Sequence, residues 1–145
     1  MASNSLFRAR GLAAGAGTVK LSQSALKMNV LIVDDNQDLA MTLRDILKQE
    51  GYTANPEFSG EAGIRAARES RYDLALIDVV LPGVSGVETL RAVRDAQPYI
   101  HTVLMTAHGD RILAGEKDCD KVELLKKPLD IEWLTVFCRQ LAGAA

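Results

Sequence analysis

Asp34 and Asp35, Asp78, Thr106 and Lys127 each stand at or just after the end of a short apolar run, VLIV at 30–33, LALI at 74–77, TVLM at 102–105 and VELL at 122–125. Brought together, three carboxylates repel one another, and some would be forced to take up protons unless positive charge offset them. A cation is therefore expected. Oxygen-only ligands favour a hard ion, and magnesium typically keeps several waters while using one or two carboxylates and a phosphate. Three aspartates, one Mg²⁺ and one lysine sum to zero charge, which suggests that the set works as a unit. Such a site can hold an incoming phosphoryl group, with the cation and the lysine neutralising its oxygens while an Asp carboxylate attacks phosphorus. Taken singly, the same residues have plainer readings: an Asp-Asp pair is more often a helix cap with a solvated neighbour, and a lone Thr or Lys in a loop usually does nothing. Their shared placement at successive strand ends is what argues for chemistry.

The elements that must position them alternate along the chain. VLIV is continuous and β-branched, as in a strand buried on both faces of a parallel sheet. Leu39, Leu43, Ile46 and Leu47 then recur at helical spacing, and Gly51 is placed to end that helix. Residues 52–55 read as a second strand, confined by Pro56 to a sheet edge or a strand end. Residues 60–71 read as a helix with Ile64 and Ala67 inward, and LALI leads into Asp78. Val87, Leu90 and Val93 mark a third helix, a short fourth is expected from about Asp110, and a last one opens at Asp130 and buries Ile131, Leu134, Cys138 and Leu141. Five β-α units with short connections predict an α/β fold, a doubly wound five-stranded parallel sheet with helices on both faces. In such sheets the ligand site lies beyond the carboxyl ends of the strands, where the polar residues fall.

The 145 residues fit one domain. No apolar run reaches the roughly 20 residues of a membrane helix, so no membrane role is expected. A net charge of −2 gives no excess positive potential for nucleic acid, and Cys119 and Cys138 make neither a C-x-x-C pair nor a cluster with His101 or His108, as expected of reduced thiols in a cytoplasm. Residues 1–27 carry Arg8, Arg10, Lys20 and Lys27 and no acid, leaving 13 basic against 19 acidic residues beyond them, a charge of −6. This Ala-, Gly- and Ser-rich stretch lacks the apolar block of a secretory signal. The domain boundary is expected at Met28, with 1–27 a disordered extension or an upstream start assignment in preference to a targeting segment. A chain starting at Met28 is expected to melt within a few degrees of the whole, a large loss showing instead that the extension packs on the domain.

Over residues 28–141 the chain resembles the receiver domain of bacterial response regulators. VLIVDDN resembles the family's acidic pair, LIDVVLPGVSGVE its phosphoacceptor segment, LMTAHGD its switch segment and LLKKP its fifth-strand segment. The resemblance implies a flavodoxin-like strand order, 2-1-3-4-5. It implies Asp78 as phosphoacceptor, and Mg²⁺ held directly by Asp35 and Asp78, through water by Asp34, and by the backbone carbonyl of Val80. It further implies Thr106 as the switch hydroxyl, Ala107 as the small neighbour and Lys127 as the site lysine. Lys126 is the rival, but alternation turns it away from the site and the family lysine directly precedes proline. His101 reads as a strand-start residue and His108 as a loop residue, neither a phosphodonor, although His108 is placed to affect phosphate lifetime. Leu124 departs from the family, which usually has an aromatic readout residue there, and the segment at 107–121 lacks the familiar Gly-Ala-x-x-Tyr pattern.

The function expected is that of a single-domain phosphoaccepting module, phosphorylated by a histidine kinase or phosphotransfer protein. It would signal to an unidentified target by protein contact and catalyse only its own phosphorylation and dephosphorylation. Only four residues follow Leu141, so no output domain is expected. An aspartate-nucleophile phosphohydrolase also uses Asp and magnesium, but needs an acid two residues after the nucleophile, where Val80 stands. A phosphate-insensitive interaction domain would not need the complete polar set.

Overall fold

A computed structural model of the chain describes residues 27–107 and 122–143. Strands β1 (Asn29–Val33), β2 (Thr53–Glu57), β3 (Leu74–Asp78), β4 (His101–Thr106) and β5 (Glu123–Lys126) form one parallel sheet in the order β2-β1-β3-β4-β5. Helices α1 (Gln37–Gln49), α2 (Gly60–Glu69) and α3 (Gly86–Ala96) connect β1 to β2, β2 to β3 and β3 to β4, and α4 (Ile131–Gly143) follows β5. The helix expected near Asp110, with His108 and Cys119, lies outside the described residues.

The strand order explains which helices share a face. From β1 the chain steps outward to β2, then back past β1 to β3 and on to β4. With right-handed crossovers this reversal puts α1 on one face and α2 and α3 on the other. Leu31, Val33, Ala75, Ile77 and Leu104 accordingly pack in one cluster with Ala67 of α2 and Val87, Leu90 and Val93 of α3. Alternation turns Val30, Ile32, Leu74 and Leu76 to the opposite face, and all four are fully buried. Burial on both faces is why β1 and β3 read as unbroken apolar runs.

Each helix start in this region is fixed by a short polar side chain: Asn36 accepts from the Leu39 N–H, Ser59 from the Ala62 N–H, and Ser85 exchanges hydrogen bonds with Glu88 in a capping box. At its other end α1 stops at Gly51, which takes φ 96° and donates to the Lys48 carbonyl at 3.0 Å. The Ser85 N–H holds the Glu88 carboxyl below the usual carboxylate range.

The strand ends differ from the sequence expectation by a residue or two, and two of the differences, at the ends of β2 and α2, have a plain cause. β2 continues through Pro56 to Glu57, because β2 is the sheet edge and needs no donor there. α2 ends at Glu69, short of 71: the side-chain amide of Gln97, the residue after α3, donates to the Ala67 and Ser70 carbonyls at 2.7 and 2.6 Å and its oxygen accepts from the Tyr72 N–H, which holds the exit from α2 in extended backbone.

The chain divides into two units, Met28–Asp130 and a second that joins Met1–Lys27 with Ile131–Ala145. In α4, Leu134, Thr135, Cys138 and Ala142 are buried; Ile131 and Leu141, expected inward, are half-buried. No helix among the described residues is long and apolar enough to cross a membrane.

Candidate functional site

The register sets the carboxyl ends of the strands side by side: Val33 pairs with Ile77, Asp78 with Met105, and Thr106 with Lys126. Asp34 directly follows β1. It is fully buried, its N–H donates to the Glu57 carbonyl at 3.1 Å, and its Oδ1 accepts from the Asn36 N–H at 2.9 Å. Asp78 closes β3 with 7% of its surface exposed, and its Oδ1 accepts from the Val80 N–H at 3.1 Å. Lys127 joins the two, its Nζ lying 3.1 Å from Asp34 Oδ2 and 3.0 Å from Asp78 Oδ2. A Lys127 N–H bond to the Thr106 carbonyl, 2.8 Å, aims the lysine at this rim, while Lys126 is exposed.

Asp35 completes the carboxylates. It is exposed, yet Asp34, Asp35 and Asp78 each offer an oxygen within 4.8 Å of the others. Thr106 is fully buried at the end of β4 and Ala107, next to it, is exposed. Leu124 is half-buried on β5 opposite Leu104 and packs against the sheet core, while the Val80 side chain is 56% exposed.

The electrostatics of this set leave it two positive charges short of balance. Burial pushes the Asp78 carboxyl up from its ordinary range, and the Asp34 charge adds to the rise; the Lys127 and Val80 hydrogen bonds act against both and are outweighed. Burial by itself would lower Lys127, but its hydrogen bonds to Asp78 and Asp34, with their charges, raise it above the usual lysine value. Each partner thus favours the charged form of the other, while Asp78 also faces its buried surroundings and a second carboxylate. Three aspartates against one lysine leave two negative charges, which a divalent cation would balance. The donor set fits a hard ion: all oxygen, two carboxylates held from behind by backbone N–H groups, and the third at the solvent side, where the ion could keep its waters.

Lys127→Ala is expected to fold but lose about 1–2 kcal/mol, less than a fully buried pair because the amine is partly solvated. Lys126→Ala should stay within about 0.5 kcal/mol of wild type. Urea unfolding without divalent cation checks both, and magnesium should recover part of the first loss.

The parallel sheet with an acidic, lysine-bridged rim defines a class of α/β protein, and comparison with known proteins gives the family. Residues 30–138 match the model of the response regulator receiver domain. The chain belongs to that family. It is 36% identical over 116 residues to an uncharacterized transcriptional regulatory protein, YkoG, of Bacillus subtilis (strain 168), covering 78% of this chain and 50% of YkoG. It is 34% identical over 108 residues to the response regulator ArlR of Staphylococcus haemolyticus, 73% of this chain and 48% of ArlR. The chain therefore spans about half the length of the curated relatives it matches. Among solved structures, the response regulator TrrA of Thermotoga maritima, in complex with Mg(2+)-BeF, superposes with a TM-score of 0.69 at 25% identity, covering 79% of this chain and 98% of that one. A signal receiver domain of an HD domain-containing protein from Pseudomonas fluorescens Pf-5 reaches 0.74 at 21% identity, with 81% and 96% covered, and supports the fold.

Proposed function

We propose that the chain takes a phosphoryl group onto Asp78 from the phosphohistidine of a histidine kinase or phosphotransfer protein, with residues 28–145 as the receiver module. The observation that carries this reading is the meeting of Asp34, Asp35, Asp78 and Lys127 at one rim. Asp35 and Asp78 would hold Mg²⁺ directly, Asp34 would act through water, and the Val80 carbonyl would complete the protein ligands. The chemistry such an ion would supply there is neutralisation of the phosphoryl oxygens. The Asp78 carboxylate forms the new oxygen–phosphorus bond as the donor's nitrogen–phosphorus bond breaks. The Val80 N–H keeps the other carboxylate oxygen oriented, and Lys127 exchanges its hold on Asp78 for a phosphoryl oxygen. Thr106 donates its hydroxyl to another oxygen, and Ala107 leaves room for the group. The chain acts only on itself, in the cytoplasm, and signals through protein contact.

Incubation with a small phosphodonor, with and without magnesium, tests this function. One phosphoryl group per chain that requires the cation supports it; turnover of a foreign phosphoester, or no uptake, overturns it.

The readout should be weak at β5. If Thr106 moves toward the phosphate, Leu124 is the side chain beside the vacated space, and a leucine has neither the volume nor the polar tip that separates two ring positions. Phosphorylation shifts a population only by its differential interaction with the two states. With a beryllofluoride mimic, amide shifts should be larger at residues 106–111, of which 108–111 lie outside the described residues, than at 122–125, and Leu124→Tyr should enlarge the latter. Equal changes in wild type with no gain in the variant would show that Leu124 is already a full switch.

A further inference from the structure

The start of α2 meets two segments of the rim through glycine. Gly60 and Gly63, a turn apart, lie on the buried face of the helix. A Cβ on Gly63 would stand 2.6 Å from Val33 Cγ2 and 3.3 Å from Val33 Cγ1. Val33 is fully buried, ends β1 and directly precedes Asp34. A Cβ on Gly60 would stand 2.8 Å from the Val84 carbonyl oxygen and would overlap the Thr89 hydroxyl. Val84 lies in the connection from Asp78 to α3, and Thr89, fully buried on α3, donates to the Ser85 carbonyl of that connection at 2.7 Å. Glycine weakens a helix interior, a loss that the close approach of α2 to β1 offsets at Gly63.

We infer that Gly60 and Gly63 are positioning residues for the rim: with no side chain between them and Val84 or Val33, the first turn of α2 sets the separation of the Asp34 and Asp78 carboxylates. Neither glycine is an aspartate's partner; each acts through the segment it touches. A packed interior does not absorb an added methyl group in place. α2 is held at its other end by the Gln97 amide, so in Gly63→Ala it is Val33 that yields, and Asp34 moves with it. Gly60→Ala presses on the backbone at Val84, in the same loop that carries the Val80 N–H, the donor to Asp78 Oδ1 at 3.1 Å. Lys127 reaches both carboxylates from one amine, at 3.1 and 3.0 Å, which requires their separation to be held. In treating the rim as a cation and phosphoryl site the inference rests on the function proposed above; the packing does not depend on it.

The test compares wild type, Gly63→Ala, Val33→Ala, the double variant of these two, and Gly60→Ala, as full chains whose folding is checked by circular dichroism. Calorimetric titration gives the Mg²⁺ affinity, and the metal-free amide resonances of Asn36 and Val80 report the N–H groups that hold Asp34 and Asp78. Gly63→Ala is expected to weaken Mg²⁺ binding roughly 10-fold, the lower end for a change behind metal ligands, and to displace the Asn36 resonance. Val33→Ala removes the two atoms that the new methyl group meets closest, so the double variant should recover most of the affinity. Val33→Ala alone, which only opens a cavity, should lose stability and keep its affinity. Gly60→Ala is expected to displace the Val80 resonance. An affinity that follows the unfolding midpoint through the series would make the role one of stability alone and overturn the inference, as would unmoved Asn36 and Val80 resonances in the folded alanine variants. Should Gly63→Ala not fold, Gly60→Ala decides by the same two readouts. A wild type that binds no Mg²⁺ would refute the proposed function, and the metal-free resonances would still decide the positioning.

Discussion

Asp78→Asn is expected to abolish phosphoryl uptake and, without divalent cation, to make the protein more stable than wild type by about 1 kcal/mol. A carboxamide is no nucleophile at phosphorus, so uptake falls to background. The gain in stability has a separate origin. Burial and the neighbouring Asp34 disfavour the Asp78 carboxylate more than Lys127 and the Val80 N–H favour it, so the folded protein carries a charge it would rather not have. Asn removes that charge and keeps one oxygen, which can still accept from the Val80 N–H, while Lys127 gives up this partner and retains Asp34 as its ion pair. The sign of the pH dependence follows. Because folding raises this carboxyl, its cost is fully present above the folded value and vanishes as pH falls below the unfolded value of 3.8. The stability difference should therefore be largest at neutral pH and close on acidification. Magnesium should raise the wild-type melting temperature more than that of the variant, since it binds only where its ligands persist. An Asn variant less stable than wild type without metal at pH 7 would show that Lys127 outweighs the burial of the carboxylate.

Gly86→Ala is expected to cost about 3 kcal/mol, at the upper end for an added methyl group in a packed interior. A Cβ on Gly86 would lie 2.1 Å from the Asp78 carbonyl oxygen, 2.6 Å from the Val79 Cα and 2.8 Å from the Asp78 carbonyl carbon. These are backbone atoms, so no rotamer change relieves the overlap; α3 must move away from the end of β3. That movement also strains the bond from the Gly86 N–H to the Val79 carbonyl, 3.0 Å. Because the displaced backbone carries the acceptor, phosphorylation of the folded fraction should slow by roughly 100-fold, the scale of an ångström-sized misplacement. Gly51→Ala is the control: its φ of 96° costs an L-residue about 1 kcal/mol, but nothing lies within 4 Å of the new methyl group. Urea unfolding of the two variants separates close approach from backbone conformation. Equal losses would refute the special role given to Gly86.

The contrast between these glycines shows what was legible beforehand. Gly51 follows an amphipathic run, and the pattern names it as a helix end. Gly86 is one of two glycines in VVLPGVSG, and its tight contact with Asp78 is a fact of tertiary packing. The strands were readable because burial on both faces leaves unbroken apolar runs, and the rim because each run stops at a polar residue. Lys127 could be preferred to Lys126 on alternation and on its place directly before Pro128, and its amine does meet Asp34 and Asp78. The backbone N–H groups of Asn36 and Val80 that hold the carboxylates had no such signal, since every non-proline residue has one. Gln97 was equally silent: its hold on the end of α2 depends on α2 and α3 lying side by side, and the sequence pattern alone carried the helix two residues too far.

The most direct test of the central proposal is to locate the phosphoryl group. After brief treatment with a small phosphodonor and magnesium, reductive trapping of the acyl phosphate and peptide mapping should place a single modification on Asp78, absent when the cation is chelated. Modification on Asp34 or Asp35, on His101 or His108, or on Asp78 at the same rate without magnesium would contradict it.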